Sequence, residues 1–462
     1  MIKTANYNAR LRLSVKSNER LRLTASWLII AILGLAMPSW LLAEEIDFEQ
    51  LLQQALNLDE CIAIALQESS DMKNAQLNLA IDDLQIKDAR SNYYPDITVN
   101  GRYNFSDRID FGFEEENYNL TVTGRYTLWD HGQREINLAR AKVDKDVTNS
   151  RYEQTRQSLV FNIIQTYYNL LKAQNLMEVD EKLLEQSREN TEKLRAFRDA
   201  GKLIEADVAA AEVKEANDEL NLINDQNALE IAMADLPVLM GLDTGTLVNI
   251  IDDPDYERYI QTGSIELEKT SVDDAIEKAL ENRPELKEYD ANIKNLEWGL
   301  TLAKLQRWPR LTAEYDYNVY LDEYLREREN FKNFRNWNAI AVLTFPLFDG
   351  GTSKRQVEQV DIQLAQIREN SSELERNIAL EVHQSYLNLK RAEKALEISD
   401  RQVRNAQLSL EVTNGRFEQG MGIPLELLEA QASYAQALTN KVRTFYDYKI
   451  AKSALQRAMG EL

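Results

Sequence analysis

The chain lays out one sequence pattern twice. A turn at Phe417-Glu-Gln-Gly-Met-Gly-Ile-Pro-Leu-Glu-Leu-Leu-Glu-Ala430 has a partner 219 residues earlier, Ala200-Gly-Lys-Leu-Ile-Glu-Ala-Asp-Val-Ala-Ala-Ala211, so that Gly201 aligns with Gly420, Asp207 with Glu426 and Ala211 with Ala430. Upstream, residues 59 to 101 superpose without gaps on 273 to 315 at an offset of 214, and Asp59, Lys73, Asn78 and Pro95 recur as Asp273, Lys287, Asn292 and Pro309. From Leu128 onward the offset is 219, which puts five extra residues in the second copy, where length variation belongs in a loop. Each copy must therefore supply the same elements in the same order.

Those elements are long, because Gly (16) and Pro (8) are scarce among 462 residues. Each copy is expected to open with a helix of about 35 residues, 58 to 92 and 272 to 306, capped by Asp59 or Asp273. Each helix must end at an aromatic-Pro pair, Tyr94-Pro95 or Trp308-Pro309, since proline pushes its predecessor out of the helical region. Alternation follows. Ile97, Val99, Gly101, Tyr103 and Phe105 share one parity, as do Leu120, Val122, Gly124, Tyr126 and Leu128. The second copy repeats this in Leu311 to Val319 and Trp337 to Phe345, giving four strands with one apolar face each, of the length of tilted transmembrane strands.

Asp130 and Asp349, in Leu128-Trp-Asp-His-Gly132 and Leu347-Phe-Asp-Gly-Gly351, are placed to cap helices of nearly 70 residues, 133 to 200 and 352 to 419. Their apolar stripes match: Leu159, Ile163 and Leu170 correspond to Ile378, Val382 and Leu389 at coiled-coil steps of three and four. Gly201 and Gly420 end these helices, and Pro424 suits the first turn of the helix that returns over 423 to 460, as 203 to 240 does in the first copy.

The resulting organisation is a leader 1–43, an N-terminal segment 44–57, a first repeat 58–241 with its strand hairpin at 96–129 and tip near 201, a linker 242–270, and a second repeat 271–462 with its hairpin at 310–348 and tip near 420. Residues 26 to 43 form a short apolar core, basic before and acidic after, that reads as an export signal. The linker has no readable fold, and its Asp252-Asp-Pro-Asp255 is expected to be a solvated loop rather than a cation site. Cys61, the only cysteine, excludes an internal disulfide framework and is expected on a buried helix face.

Net charge is −22, and residues 1–43 hold six basic residues and one acidic one, so the remainder carries −22 − 5 = −27. A nucleic-acid partner is thereby excluded. Beyond the leader no apolar stretch is long enough for a membrane helix, so any membrane span falls to the strands. Four strands cannot close a barrel, and a membrane location requires copies to share one.

Taken together, twice and in order, these features resemble the TolC-type outer-membrane efflux ducts, the outer membrane factor family, over almost the whole mature chain. The resemblance implies a mainly α fold with a transmembrane β-barrel: a homotrimer sharing a twelve-stranded antiparallel barrel, four strands per protomer, continuous with a long α-helical periplasmic barrel. It implies an exit duct in the outer membrane of a Gram-negative cell, in contact with outer-membrane lipid, served by a periplasmic adaptor and an inner-membrane pump in efflux or type I secretion. It carries the acidic ring of the periplasmic entrance onto Glu426 and Glu429, with Asp207 the first-copy counterpart, and adaptor docking onto Ala200, Gly201, Lys202, Gln419, Gly420 and Met421. Pro95, Pro309, Asp130 and Asp349 mark the strand–helix junctions. The family's basic latch, two residues past the second tip glycine, falls on Gly422, and Lys202 is the substitute at hand.

Catalytic constellations are missing: two histidines, His131 and His383, stand without a Cys pair, a phosphate loop or a nucleophile elbow, so no enzyme, metal or cofactor is expected. The rival reading is a soluble periplasmic coiled-coil adaptor or scaffold, which accounts for the helices and the charge and leaves the four strands unexplained.

Overall fold

The computed structural model describes residues 55–108, 113–262, 271–322 and 335–462. The leader 1–43, most of the segment 44–57 and the end of the linker, 263–270, lie outside them. The remainder forms one unit, Ala55–Leu462.

Each copy opens with two helices where one was expected. In the first, α1 (Leu58–Glu68) and α2 (Ser70–Ser91) are separated by Ser69, whose ψ of 132° leaves the helix and whose hydroxyl accepts from the Asp71 N–H at 3.3 Å. The cap of α1 is Asn57 rather than Asp59: its side chain accepts from the Glu60 N–H, while Glu60 returns a carboxylate to the Asn57 N–H.

Strands β1 (Asp96–Arg108) and β2 (Phe113–Trp129) follow, then the long α3 (Gln133–Asp199) and the returning α4 (Glu205–Leu239). A short helix of the linker, α5 (Pro254–Thr262), precedes the second copy. There α6 (Val272–Asn282) and α7 (Pro284–Leu305) are broken at Arg283, where Pro284 forces an extended ψ of 122°. Then come β3 (Arg310–Asp322), β4 (Arg335–Thr344), α8 (Thr352–Glu418) and α9 (Pro424–Ala458). The cap of α6 is Ser271, again not Asp273. Phe345, expected within the last strand, falls beyond it, because Pro346 supplies no N–H to continue the ladder.

A glycine seals each break. Gly241, just past α4, has φ 84°, and a Cβ there would lie 2.6 Å from the Glu68 carbonyl oxygen. A Cβ on Gly460 (φ 72°) would lie 3.1 Å from Asn282 and 3.2 Å from the Arg283 backbone N, a looser fit than at Gly241. The return helix of each repeat thus ends against the interruption of its leading helix.

The strands form an antiparallel sheet in the order β1-β2-β3-β4. Its polar face is laced across the central seam: Thr121 donates to Asn318 and Thr123 to Asp316, both at 2.7 Å, and Arg125 donates to Glu314 at 2.9 Å. The other face is apolar and bare, with Ile97, Val99, Trp337 and Leu343 each more than 60% exposed. Beside the seam, the His131 ring lies between Trp129 at 3.7 Å and Trp308 at 4.8 Å, tilted to both.

Asp130 and Asp349 bind the strands to the helices. Asp349 accepts from the N–H groups of Gly351 and Ser353 at 2.9 Å, and the Ser353 hydroxyl and these backbone donors hold its carboxyl down at about 2. Asp130 accepts from the same two positions, Gly132 and Arg134, and pairs with the Arg134 guanidinium at 3.0 Å.

Helices α3 and α8 are 67 residues each, about 100 Å at 1.5 Å per residue. Their stripes are buried: Leu159, Ile163, Leu170, Ile378, Val382 and Leu389 are all below 5% exposure. No helix of the described residues is long and apolar enough to cross a membrane.

The acidic linker is not a solvated loop. Asp253 is buried and starts α5 by accepting from the Asp255 N–H, while Lys449 of α9 reaches Asp253 at 3.0 Å and Asp255 at 2.6 Å. The hydrogen bond from Lys449 and its charge hold the Asp255 carboxyl below the usual range. An ammonium group occupies the place a cation would take. Tyr259 of α5 then stacks on Phe445 at 5.3 Å, and Tyr256 packs against Phe445 at 5.0 Å and Tyr446 at 5.3 Å.

Candidate functional site

Both tips are built by one backbone device. At the end of α3, Gly201 (φ 71°) donates to Arg198 O and Lys202 to Phe197 O. At the end of α8, Gly420 (φ 72°) donates to Phe417 O and Met421 to Arg416 O. These paired bonds satisfy the last helical carbonyls and need a left-handed residue, which glycine supplies without strain. Ile204 and Ile423 then start the return helices in extended conformation, and neither side chain can cap.

The missing cap is handled differently in the two copies. Asp207, at the third position of α4, accepts from the Ile204 N–H at 3.3 Å. Glu426, at the third position of α9, instead faces Arg416 across the turn, 3.7 Å from its guanidinium, and the other Arg416 nitrogen reaches Met421 O at 3.5 Å. Asp207 is thus engaged in its own helix start, and Glu426 is directed outward. Arg416 is the residue sequence reasoning missed; a basic residue four before the tip glycine, ten before Glu426, is the signal that points to it.

The structure brings the two tips together. Leu194, Val208, Phe417, Leu427 and Leu428 form one buried cluster joining the hairpins, and the rings of Phe197 and Phe417 lie 5.8 Å apart. Because Leu427 and Leu428 face this cluster, Glu426 and Glu429, spaced i and i+3, emerge exposed on another side of α9. Ala200, Gly201, Lys202, Gln419, Gly420 and Met421 are all exposed at the extremity.

Neither latch position holds a partner on the other hairpin. A Cβ on Gly422 would meet the Phe417 backbone N at 3.1 Å, so a side chain there crowds the turn. The Lys202 ammonium sits 5.4 Å over the Phe197 ring of its own hairpin. The hairpins also differ in their fastening. Arg195 pairs with Glu212 at 2.7 Å and Arg198 with Glu205 at 3.3 Å between α3 and α4, whereas the aligned positions of α8 and α9 hold Asn414 with Gln431 and Phe417 with Pro424.

The profile of the family described as "Outer membrane efflux protein" matches residues 61–242 and 275–461. Among curated proteins, the chain is 23% identical to Protein CyaE of Bordetella pertussis over 416 residues, covering 88% of this chain and 84% of that one. It is 22% identical to Outer membrane protein TolC of Vibrio cholerae over 391 residues, covering 82% and 84%. Among solved structures, CusC, described in terms of transmembrane channel formation, superposes with a TM-score of 0.74 at 16% identity, over 87% of this chain and 92% of that one. With the family profile covering both copies and the four-stranded, helix-hairpin fold shared with a channel, the chain belongs to the outer membrane efflux protein family and is an outer-membrane channel that extends into the periplasm.

Proposed function

We propose that three copies close one twelve-stranded barrel, and that the helix tips gather at the far, periplasmic end of the helices as an entrance ringed by Glu426 and Glu429. Such a ring holds six carboxylates and favours cations over anions. The observation that carries the reading is the packing of the tips: the buried Leu427 and Leu428 fix the face of α9, and that leaves Glu426 and Glu429 exposed beside the extremity. Arg416 offsets part of the charge of Glu426, so Glu429 is the stronger attractor of the two. Asp207 contributes field from the first hairpin while capping α4.

The exposed turns Ala200–Lys202 and Gln419–Met421 are the docking points for a periplasmic adaptor that joins the duct to an inner-membrane pump. The duct conducts passively.

The test is the reversal potential of single channels in a planar bilayer under a KCl gradient, with wild type beside Glu426→Gln/Glu429→Gln. Cation preference that falls at least about threefold in the double variant supports the acidic entrance. Unchanged selectivity in a conducting variant would remove the assignment of these two residues. A Glu429→Gln single variant is expected to lose more selectivity than Glu426→Gln.

A further inference from the structure

Strands β1 and β4 are the open edges of the sheet. All ten residues of β4 are exposed, as are residues 96–105 of β1, whereas the inner strands are largely half-buried. An apolar sheet with two unpaired edges cannot stand in lipid. Four strands cannot curl far enough to pair these edges with each other, so the occupant of each is the opposite edge of a second copy. Because the strands alternate in direction, β4 meets the neighbouring β1 antiparallel, as β2 meets β3.

We propose that this seam between copies repeats the register of the seam inside one copy, so that Ala341 lies opposite Tyr103 of the next chain and Leu343 opposite Gly101. The inference rests on the shared-barrel reading above and adds the register to it. Its first support is the duplication. Inside the chain, Val122 pairs with Tyr317 and Gly124 with Tyr315. The duplication carries β3 onto β1 by subtracting 214 and β2 onto β4 by adding 219, an offset that reaches back through β2 because the pair Ile97 and Gly124 becomes the observed pair Leu311 and Leu343. Val122 becomes Ala341 and Tyr317 becomes Tyr103; Gly124 becomes Leu343 and Tyr315 becomes Gly101.

The second support is independent of the duplication. In this register three successive rungs of the apolar face each set a small residue against a large one: Leu343 against Gly101, Ala341 against Tyr103 and Ala339 against Phe105. The inner seam uses the same complementarity in reverse at Gly124 and Tyr315. A slip of one residue sets apolar against polar faces. A slip of two in one direction sets Leu343 against Tyr103 and Ala341 against Phe105. In the other direction it leaves Ala341 against Gly101, with no side chain to fill the space. Cross-strand pairs are the unit of sheet stabilisation, so the small-to-large match selects one register among those that keep the faces aligned.

The experiment is disulfide formation between cysteines placed on the two edges of the full-length chain, in a Cys61→Ala background. The matched pair Ala341→Cys/Tyr103→Cys is compared with Ala341→Cys/Gly101→Cys and Ala341→Cys/Phe105→Cys, which are shifted by two in either direction. Within one chain β1 and β4 are three strand spacings apart, roughly 14 Å, beyond disulfide reach, so any bond joins two chains. Each variant is first shown to be detergent-extracted from membranes as an oligomer. On oxidation, the matched pair is expected to give at least about tenfold more linked chains than either shifted pair, because diagonal neighbours are about 7–8 Å apart. A shifted pair that links best, or three pairs that link equally or not at all in an extracted oligomer, overturns the register while leaving the shared barrel standing. If wild type washes off membranes in carbonate without detergent, the shared barrel fails, and the seam with it.

Discussion

At the scale of single residues, two positions carry disproportionate weight. Gly241 combines a left-handed backbone with a Cβ position 2.6 Å from a carbonyl oxygen across the break between α1 and α2. Gly241→Ala must strain its φ and push the leading helix away, and we expect a loss of about 2 kcal/mol or more, read as a lower thermal midpoint of the helical circular-dichroism signal in detergent. Lys449 neutralises the buried Asp253 together with Asp255. Lys449→Met strands a buried carboxylate and should cost about 3 kcal/mol, most of it recovered in Lys449→Met/Asp253→Asn; equal loss in both variants would show that the ion pair is not what holds α5. Neither partner could be matched from sequence, since Asp253 and Lys449 are 196 positions apart and only the folded chain joins them. The acidic stretch of the linker therefore read as a solvated loop, although its Asp-Pro start is a helix-opening signal in its own right.

At the scale of elements, α3, α4 and α9 share a titrating contact. Burial pushes the Asp180 carboxyl of α3 up to about 6, with Asp225 and Asp218 of α4 adding repulsion and Arg443 of α9 opposing it. A carboxyl raised in the folded state binds its proton more tightly there than when unfolded, so ionising it is a cost fully present above pH 6 and lost as the pH falls to about 4. The helices should gain about 1 kcal/mol over that window after allowance for solvent screening, and Asp180→Asn should flatten this part of the stability profile. A slope unchanged in the variant would assign the effect to other groups. Strand identity was legible because alternation is local, and the long helices because few breakers interrupt them. The interruptions at Ser69 and Arg283 were not read, although Pro284 gave the physical reason for the second. At the tips, sequence located the turn and the acids but not their division of labour. Asp207 accepts from the Ile204 N–H of its own hairpin, and Glu426 pairs with Arg416 across the turn, contacts that only the folded chain brings together.

For the molecule as a whole, the duplication made the fold class readable: a local pattern found once is ambiguous, and found twice in the same order it is an architecture. What remained unreadable was everything that depends on the facing of one repeat against the other, such as the ring contacts of His131 with Trp129 and Trp308 at the inner seam. The central claim is that this acidic, helix-rich chain of 462 residues makes a conducting duct without any membrane-spanning helix among its described residues. The most direct measurement is ionic current through a planar bilayer into which the full-length, detergent-extracted oligomer has been inserted, its stoichiometry fixed beforehand by native mass. The account predicts three chains per particle and discrete, cation-preferring current steps. A stable three-chain particle that inserts but never conducts, or a chain that stays soluble without detergent, would contradict it.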